Sequence, residues 1–382
     1  MKIIIFCPYY SPHIGGLETH ADEFNKYLSQ RGIDITVFTP RLPKNAPENE
    51  IRYGNVKIMR FPAFEIISNY PLPKFWTKKY RDLKKEIKKE KYDIVISRTR
   101  FFNTSLLALI YSKTKKTKWI HIEHGSDFVE LSSNLKTLLA RFYDYTFGRL
   151  IFKNSDINIS ISRAVKKFVY KFDKRESPVI YRGLDLGEID NIIPDIETKN
   201  KYEGKIIISF VGRLYKWKGV KNSIEAIKSL PEEIKKKIVF LIIGDGEDFS
   251  YLKKISENEK TIEMLGNLPR EKAIAILKIT DIYLHSAYPG GGLSTSLLEA
   301  MYCGCAVIAT PNEGADEVIE NDKNGILIET ANSVDITKNL LKLINNINLK
   351  MFIPDNGKVS VKNKFNWMPS IETYNKIFNK LK

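Results

Sequence analysis

Short apolar runs rich in Ile, Val and Phe recur along the chain, and most are followed by a stretch with helical spacing. The first run is KIIIFCPYY, residues 2–10. After it comes GLETHADEFNKYLSQRG, where Leu17, His20 or Ala21, Phe24, and Tyr27 or Leu28 share one helical face and Gly32 supplies the stop. A strand with one wet face alternates apolar and polar residues. A strand that is apolar throughout must be covered on both faces, as in a parallel sheet between layers of helices. DITVFTP, VKIMRFP, DIVISR, KWIHIEH and DINISIS continue the series. A second series runs KIIISFVGRL, IVFLIIGDG, TIEMLG, DIYLHSA, AVIATP and NGILIE, separated by helical patterns such as GVKNSIEAIKSL and REKAIAILKIT. Two such series in 382 residues predict two doubly wound domains. The expected domains are 1–185 and 186–363, with the boundary in VIYRGLDLGEIDNIIPDIETKNKYEG, where periodicity lapses. The tail, 364–382, reads as a helix with no strand after it and is expected to pack back on the first domain.

In open sheets of this kind, ligands bind beyond the carboxyl ends of the strands. The informative residues follow strands here. In SFVGRLYKWKG a strand ends at Gly212 and Arg213, with Lys218 before Gly219 and a helix; two cations at a strand mouth suit a diphosphate. LIIGDG ends another strand at Gly244 in a tight turn. In YPGGGLSTSLLEAMYCGC, Gly290, Gly291 and Gly292 leave amides unshielded, and Leu293 and Ser294 lead into a helix start. Bare amides and a helix N-terminus attract anionic oxygen. Glu299, in the first turns of that helix, either accepts hydrogen bonds from a vicinal diol or serves only the helix dipole. In the first half, Gly15, Gly16 and Glu18 follow the first strand, and His124, Gly125, Ser126 and Asp127 follow KWIHIE.

Charge is unevenly placed. Residues 1–185 hold 34 Lys and Arg against 19 Asp and Glu, whereas the remainder holds 27 against 26. The basic half points to an anionic partner: phospholipid headgroups, nucleic acid or a phosphorylated acceptor. KKYRDLKKEIKKEKY reads either as a solvated helix face or as a headgroup-binding surface. LKTLLARFYDYTFGRLIF, residues 135–152 with Lys136, Arg141 and Arg149, reads either as a core helix with a basic edge or as a segment lying on an anionic leaflet. Cys7, Cys303 and Cys305 form no disulfide framework and no four-ligand metal set, which suits a reducing cytoplasm. No run reaches the roughly 18 apolar residues of a membrane span, and no small-residue cleavage site follows the first strand. The expected location is cytoplasmic, at the inner face of the cell membrane where an acceptor requires it.

These pieces together resemble the retaining glycosyltransferases of family 4, which have the GT-B fold of two doubly wound Rossmann-like domains facing each other across a cleft. The markers are PHIGGLE, EHG, ISRAVKKFV, VIYRGLDL with Arg182 where Asn is usual, VGRLYKWKG, IIGDGEDFSYL, LLEAMYCGCAVIAT and NEGADEVIENDKNGIL, in order along nearly the whole chain. The resemblance implies α-linked transfer, with retention, from a nucleoside-diphosphate sugar to a glycan or lipid-linked acceptor in cell-surface polysaccharide or glycolipid synthesis. It implies that Arg213 and Lys218 hold the diphosphate, that Gly15 and Gly16 give close backbone contact, that His124 lies near the donor sugar and that Glu299 holds the ribose. It places Glu317 near the acceptor end, and Glu18 and Asp127 are acceptor-side candidates. No metal or other cofactor is expected. In one respect the chain departs from the pattern. The first Glu of the family's E-x(7)-E motif falls at Gly291. A nucleotide-sugar binder with weak or no transfer is therefore an alternative reading. Nucleic-acid binding is not expected, because the glycines and cations gather at strand ends rather than among interleaved aromatics. The LLEAM block favours transfer over an epimerase or a phosphorylase.

Overall fold

The strands of the first half are β1 (Lys2–Phe6), β2 (Asp34–Pro40), β3 (Asn49–Arg52), β4 (Val56–Phe61), β5 (Ala63–Ile67), β6 (Tyr70–Pro73), β7 (Ile94–Arg98), β8 (Lys118–Glu123) and β9 (Ile157–Ser160). Those of the second half are β10 (Ile206–Val211), β11 (Ile238–Ile243), β12 (Ile262–Gly266), β13 (Ile282–His285), β14 (Ala306–Ala309) and β15 (Ile326–Leu327). The structure is a computed structural model that describes residues 1–13, 15–67, 70–128, 134–289, 293–312, 314–329 and 332–382. Contacts divide the chain into two units, Met1–Gly183 with Trp367–Lys382, and Leu184–Asn366.

In the first unit the sheet order is β3-β4-β2-β1-β7-β8-β9, parallel except for the antiparallel edge strand β3. β1 lies between β2 and β7, with Ile3 opposite both Ile35 and Ile94. Alternate residues of β1 serve opposite faces. Ile3 and Ile5 join a core with Phe24, Leu28, Trp367 and Tyr374, while Ile4 and Phe6 join one with Phe38, Tyr80 and Trp119. That double burial is why the run is apolar throughout. The second unit repeats the plan with all strands parallel, in the order β12-β11-β10-β13-β14-β15. Ile208 and Phe210 point into one core and Ile207 into the other. In each unit the neighbouring strands run the same way, so the ends of β1, β7 and β8, and those of β10, β11 and β13, open on one edge of their own sheet.

The C-terminal helix, Trp367–Leu381, buries Trp367, Ile371, Tyr374 and Phe378, a helical stripe. It packs in the first unit, where Tyr374 meets Phe24 edge to face at 4.8 Å. A Cβ at Gly183 would lie 2.4 Å from the Trp367 backbone nitrogen, so the chain passes that helix where only glycine fits. The basic run forms the helix Lys78–Lys89, which buries Tyr80, Leu83 and Ile87 and turns most of its lysines to solvent. No helix among the described residues is long and apolar enough to cross a membrane.

Several elements escape the periodicity. β5 and β6 pair as a hairpin in which Ala63 faces Pro73; the prolines of YPLP mask the strand signal. The helix Asn103–Lys115 has its polar start NTS joined to an almost unbroken apolar run, which blurs its face. Ile347–Lys364 is helical although it carries Pro354, a residue that normally argues against a helix interior.

Candidate functional site

In the second unit, the loops leaving β10, β11 and β13 touch backbone to backbone. A Cβ at Gly244 would lie 1.8 Å from the Gly212 carbonyl oxygen, and one at Gly219 would lie 2.0 Å from that of Ser286. Gly244 has φ +144° and Gly219 φ +66°, where side chains are strained regardless of space. The Gly212 N–H donates to the Ile243 carbonyl at 3.0 Å and that of Leu214 to the Asp245 carbonyl at 2.9 Å. The Ser286 hydroxyl lies 3.2 and 3.0 Å from the carbonyl oxygens of Lys218 and Gly219. Arg213 stands exposed at this junction and Lys218 is half-buried. Lys218 ends a tight turn, Lys216–Lys218, flanked by the stacked rings of Tyr215 and Trp217, 4.5 Å apart.

Gly290, Gly291 and Gly292 lie outside the described residues. After them Leu293 and Ser294 are buried, and the helix Thr295–Cys303 begins. The Tyr283 hydroxyl of β13 donates to the Val211 carbonyl at 3.1 Å and lies 2.9 Å from the Ser296 hydroxyl. The end of β10 and the first turn of that helix are thereby held together. Leu293 packs so closely on Gly314 that a Cβ there would come 2.9 Å from Leu293 Cδ1. Glu299 is buried on the helix and accepts from Arg270 Nε at 2.9 Å, while Arg270 Nη1 reaches Glu188 at 2.8 Å. Arg270 thus fixes the rotamer of Glu299, which sequence reasoning did not foresee. Glu317 lies in the short helix Ala315–Val318, its N–H donating to the Gly314 carbonyl.

In the first unit the turn after β1 brings Glu18, buried, to 2.5 Å from His13 Nδ1, and stacks His13 on Tyr9. Gly15 has extended backbone and precedes the helix Gly16–Ser29. The Gly16 carbonyl faces Arg182 Nη1 at 3.4 Å, and Arg182 also lies 3.5 Å from Glu23, which accepts from Trp367 Nε1 at 2.8 Å. The unusual Arg182 is therefore a buried link between the Gly16 turn and the C-terminal helix.

The EHG turn after β8 is built around Glu123. This buried carboxylate accepts from the backbone N–H groups of His124 (2.9 Å), Gly125 (2.7 Å) and Arg100 (3.0 Å), and from Arg100 Nη1 at 3.3 Å. Arg100 also forks onto Asp144 at 2.9 and 3.0 Å and donates to the Asp127 carbonyl at 2.9 Å. A Cβ at Gly125 would meet Arg100 Nη1 at 2.8 Å, so glycine is what lets the guanidinium pass. Asp127 Oδ1 accepts from the Phe128 N–H, and Lys171 lies 3.7 Å away. His124 meets the His20 ring edge to face at 4.9 Å. Arg98 Nη1 donates to His20 Nδ1 at 2.7 Å, which leaves the proton of a neutral His20 on Nε2. Between Arg98 and Arg100, Thr99 has φ +60°, an outlier for a β-branched residue, and it stands where two buried arginines must diverge. The signal for both arginines was visible as ISRTR at a strand end, the same pattern that singled out Arg213.

These buried groups titrate in one direction. Burial, then the Arg98 charge, lowers His20 and His124 well below the usual imidazole value. Burial alone would push Glu123 up, but Arg100 and His121 outweigh it and hold it at about 2. Below about pH 6.5 an unfolded chain takes protons that the two native rings refuse, so stability falls from there downward. Glu123 contributes fully above its unfolded value of 4.5, and that contribution is lost as pH falls toward about 2. The urea midpoint should therefore drop between about pH 7 and 5, and again below about pH 4.5. His20→Asn with His124→Asn should flatten the upper limb and Glu123→Gln the lower. A wild-type midpoint unchanged from about pH 7 to 5 would refute the account of the histidines.

Comparison with known proteins gives the following. The family model described as Glycosyltransferase Family 4 matches residues 14–188, and that described as Glycosyl transferases group 1 matches residues 192–359. The chain is 49% identical to an uncharacterized glycosyltransferase of Methanocaldococcus jannaschii over 388 residues, covering 100% of this chain and 99% of the relative. It is 23% identical to the phosphatidylinositol N-acetylglucosaminyltransferase GPI3 subunit of Saccharomyces cerevisiae, covering 98% of this chain and 83% of that protein. Among solved structures it is similar to Anabaena HepE in complex with UDP and glucose, with a TM-score of 0.76, 17% identity and full coverage of both chains.

Proposed function

This chain belongs to the glycosyl transferases of group 1 and family 4, and from that premise we propose that it moves a hexose or N-acetylhexosamine from a nucleoside-diphosphate sugar to a lipid-linked or glycan acceptor, with retention. It is a hexosyltransferase-type enzyme of GT-B fold. The observation that carries the donor half of the proposal is the backbone junction of Gly212, Gly219, Gly244 and Ser286, with Arg213 and Lys218 rising from it. Contact that close gathers the carboxyl ends of β10, β11 and β13, where open sheets of this kind bind their ligands. Support for the acceptor comes from the yeast relative, named for transfer to phosphatidylinositol. UDP is the first nucleotide to test, since HepE was solved with it.

The glycosidic transition state is oxocarbenium-like, and charge collects on the departing diphosphate. Arg213 and Lys218 stabilise that charge more than the ground state, which is what accelerates the step. The acceptor oxygen bonds to the anomeric carbon on the face the diphosphate leaves. The bond from that carbon to phosphate oxygen breaks, and the acceptor's proton passes to the leaving phosphate. In this proposal the two cations do the work a metal would do. Glu299, oriented by Arg270, holds the ribose hydroxyls. By the family resemblance, His124 serves the donor sugar, and Gly15, Gly16, Glu18, Asp127 and Glu317 serve donor or acceptor contacts. The enzyme works in the cytoplasm, at the inner face of the membrane that holds its acceptor, in polysaccharide or glycolipid synthesis.

A panel of UDP-, GDP-, TDP- and ADP-sugars tests the reading through thermal unfolding. A cognate donor at about 100 times its Kd adds about 2.7 kcal/mol, a rise in Tm of roughly 5–10 °C for a unit of this size. Glu299→Gln should cut donor affinity by about tenfold or more, since a hydrogen bond to a charged group is lost. A second reading is favoured by Gly291, which stands where the family pattern has Glu. A donor that raises Tm but yields no product with any lipid-linked acceptor would support that binding-only reading. No shift with any nucleotide sugar would overturn both.

A further inference from the structure

We infer that the helical segment 134–154 and the turn after the helix Arg163–Phe172 form a docking surface for an anionic lipid bilayer, with a pocket for headgroup phosphate at its basic end. The inference deepens the lipid-linked-acceptor reading and rests on it for its purpose, though not for its chemistry.

The segment consists of the helices Asn134–Tyr143 and Arg149–Asn154, joined by the π-turn Asp144–Gly148. Leu135, Leu138, Leu139 and Phe142 fall at positions i, i+3, i+4 and i+7, the stripe that a helix normally turns to the core. Here they are 67%, 64%, 60% and 66% exposed, and Tyr145 and Phe147 extend the stripe into the π-turn. A continuous apolar face in water marks an interaction site rather than a scatter of surface residues.

At the far end lies an open depression of about 620 Å³ that Tyr145 links to the stripe. Its lining sets five cations, Arg149, Lys153, Lys171, Lys174 and Arg175, against one carboxylate, Asp173. That carboxylate is already neutralised, accepting from Arg175 Nε at 3.1 and 3.0 Å and from Asn158 Nδ2 at 2.8 Å. Arg175 gives its other donors to the carbonyls of Phe152 and Ser155, so it serves the fold. Lys171 lies 3.7 Å from Asp127. Among the described residues Arg149, Lys153 and Lys174 have no carboxylate partner, and Lys174 rests over the Tyr170 ring at 4.0 Å.

An occupant must therefore offer hydrocarbon beside anionic phosphate. A bilayer leaflet does both: the stripe enters the acyl boundary and the pocket takes headgroup phosphate. A second copy of this chain packing the same face would set these cations against themselves. Single-stranded nucleic acid would leave the leucines without a partner, because its bases stack on aromatic rings.

Flotation of the full chain with phosphatidylcholine vesicles, and with vesicles carrying phosphatidylglycerol as well, tests the surface. Binding to the anionic vesicles is expected to exceed binding to the neutral ones and to weaken as salt rises. Arg149→Glu, Lys153→Glu and Lys174→Glu should each lower binding to anionic vesicles by about fivefold or more, and Leu138→Gln with Leu139→Gln and Phe142→Gln should abolish it. No flotation of the wild type, equal binding to neutral vesicles, or indifference to salt would overturn the proposal, and the salt series holds even where a variant fails to fold. Full competition by inorganic phosphate would overturn it in favour of a free-anion site. A dimer in sedimentation equilibrium that the apolar variant dissolves would overturn it in favour of self-association. The donor-induced rise in Tm, read on the same samples, should be untouched by these changes; its absence from the wild type would count against the transferase reading and leave the flotation result standing.

Discussion

Arg213→Ala should lower kcat for sugar transfer by about 100–1000-fold, the usual cost of removing one group that stabilises charge developing in a transition state. The fold should survive. Arg213 is exposed at the end of β10, and surface substitutions away from packed features seldom move stability by more than about 0.5 kcal/mol. The donor-induced shift in Tm should shrink less than the rate, because the cation favours the departing diphosphate over the intact one. Lys218→Ala should act in the same direction. The double variant should lose less than the product of the two losses, since the proposed mechanism has both cations serve one anion. Product formation from labelled donor, set beside the Tm of each variant, decides the matter. Full activity in Arg213→Ala would remove it from the mechanism, whatever the donor panel shows.

The strands and the glycines at their ends in the second unit were legible because each rests on a local rule. An apolar run without alternation means a strand covered on both faces, and Ile3 to Phe6 are divided between two cores accordingly. Gly212 and Gly244 were legible as glycines at strand ends, although only coordinates show that a Cβ at Gly244 would collide with the Gly212 carbonyl. What stayed hidden depends on distant residues. Nothing local pairs Glu299 with Arg270, 29 positions earlier, or sets Arg100 between Glu123 and Asp144. The segment 135–152 was ambiguous for a related reason. Its stripe has the spacing of a core helix, and exposure is decided by whether another element covers it, which periodicity does not encode. Arg182 read as a departure from a motif, and its partners, Glu23 and the Gly16 carbonyl, lie more than 150 positions away.

The junction that supports Arg213 makes a second demand, and it falls on stability. Gly244→Ala should destabilise the second unit by about 3 kcal/mol or more, combining overpacking with strain at a positive φ. The new Cβ would stand 1.8 Å from the Gly212 carbonyl oxygen. That atom belongs to backbone held at both ends, since the Gly212 N–H is bonded to Ile243 and the Gly244 N–H to Gly266. A flexible side chain could swing away; these peptides cannot move without breaking the register of β10 on β11, where Val211 pairs with Ile243. Gly219→Ala meets the same obstacle at the Ser286 carbonyl, 2.0 Å away. At 2–4 °C per kcal/mol, each should lower Tm by roughly 6–12 °C. A control separates crowding from conformation. Gly204→Ala also sits at positive φ, +75°, but has nothing within 4 Å of its Cβ, so it should cost only about 1 kcal/mol. If all three variants melt together, close backbone approach does not shape this site, and the glycines serve turn geometry alone. If Gly244→Ala and Gly219→Ala fall well below Gly204→Ala, the chain is spending stability to hold together the strand ends that carry Arg213 and Lys218.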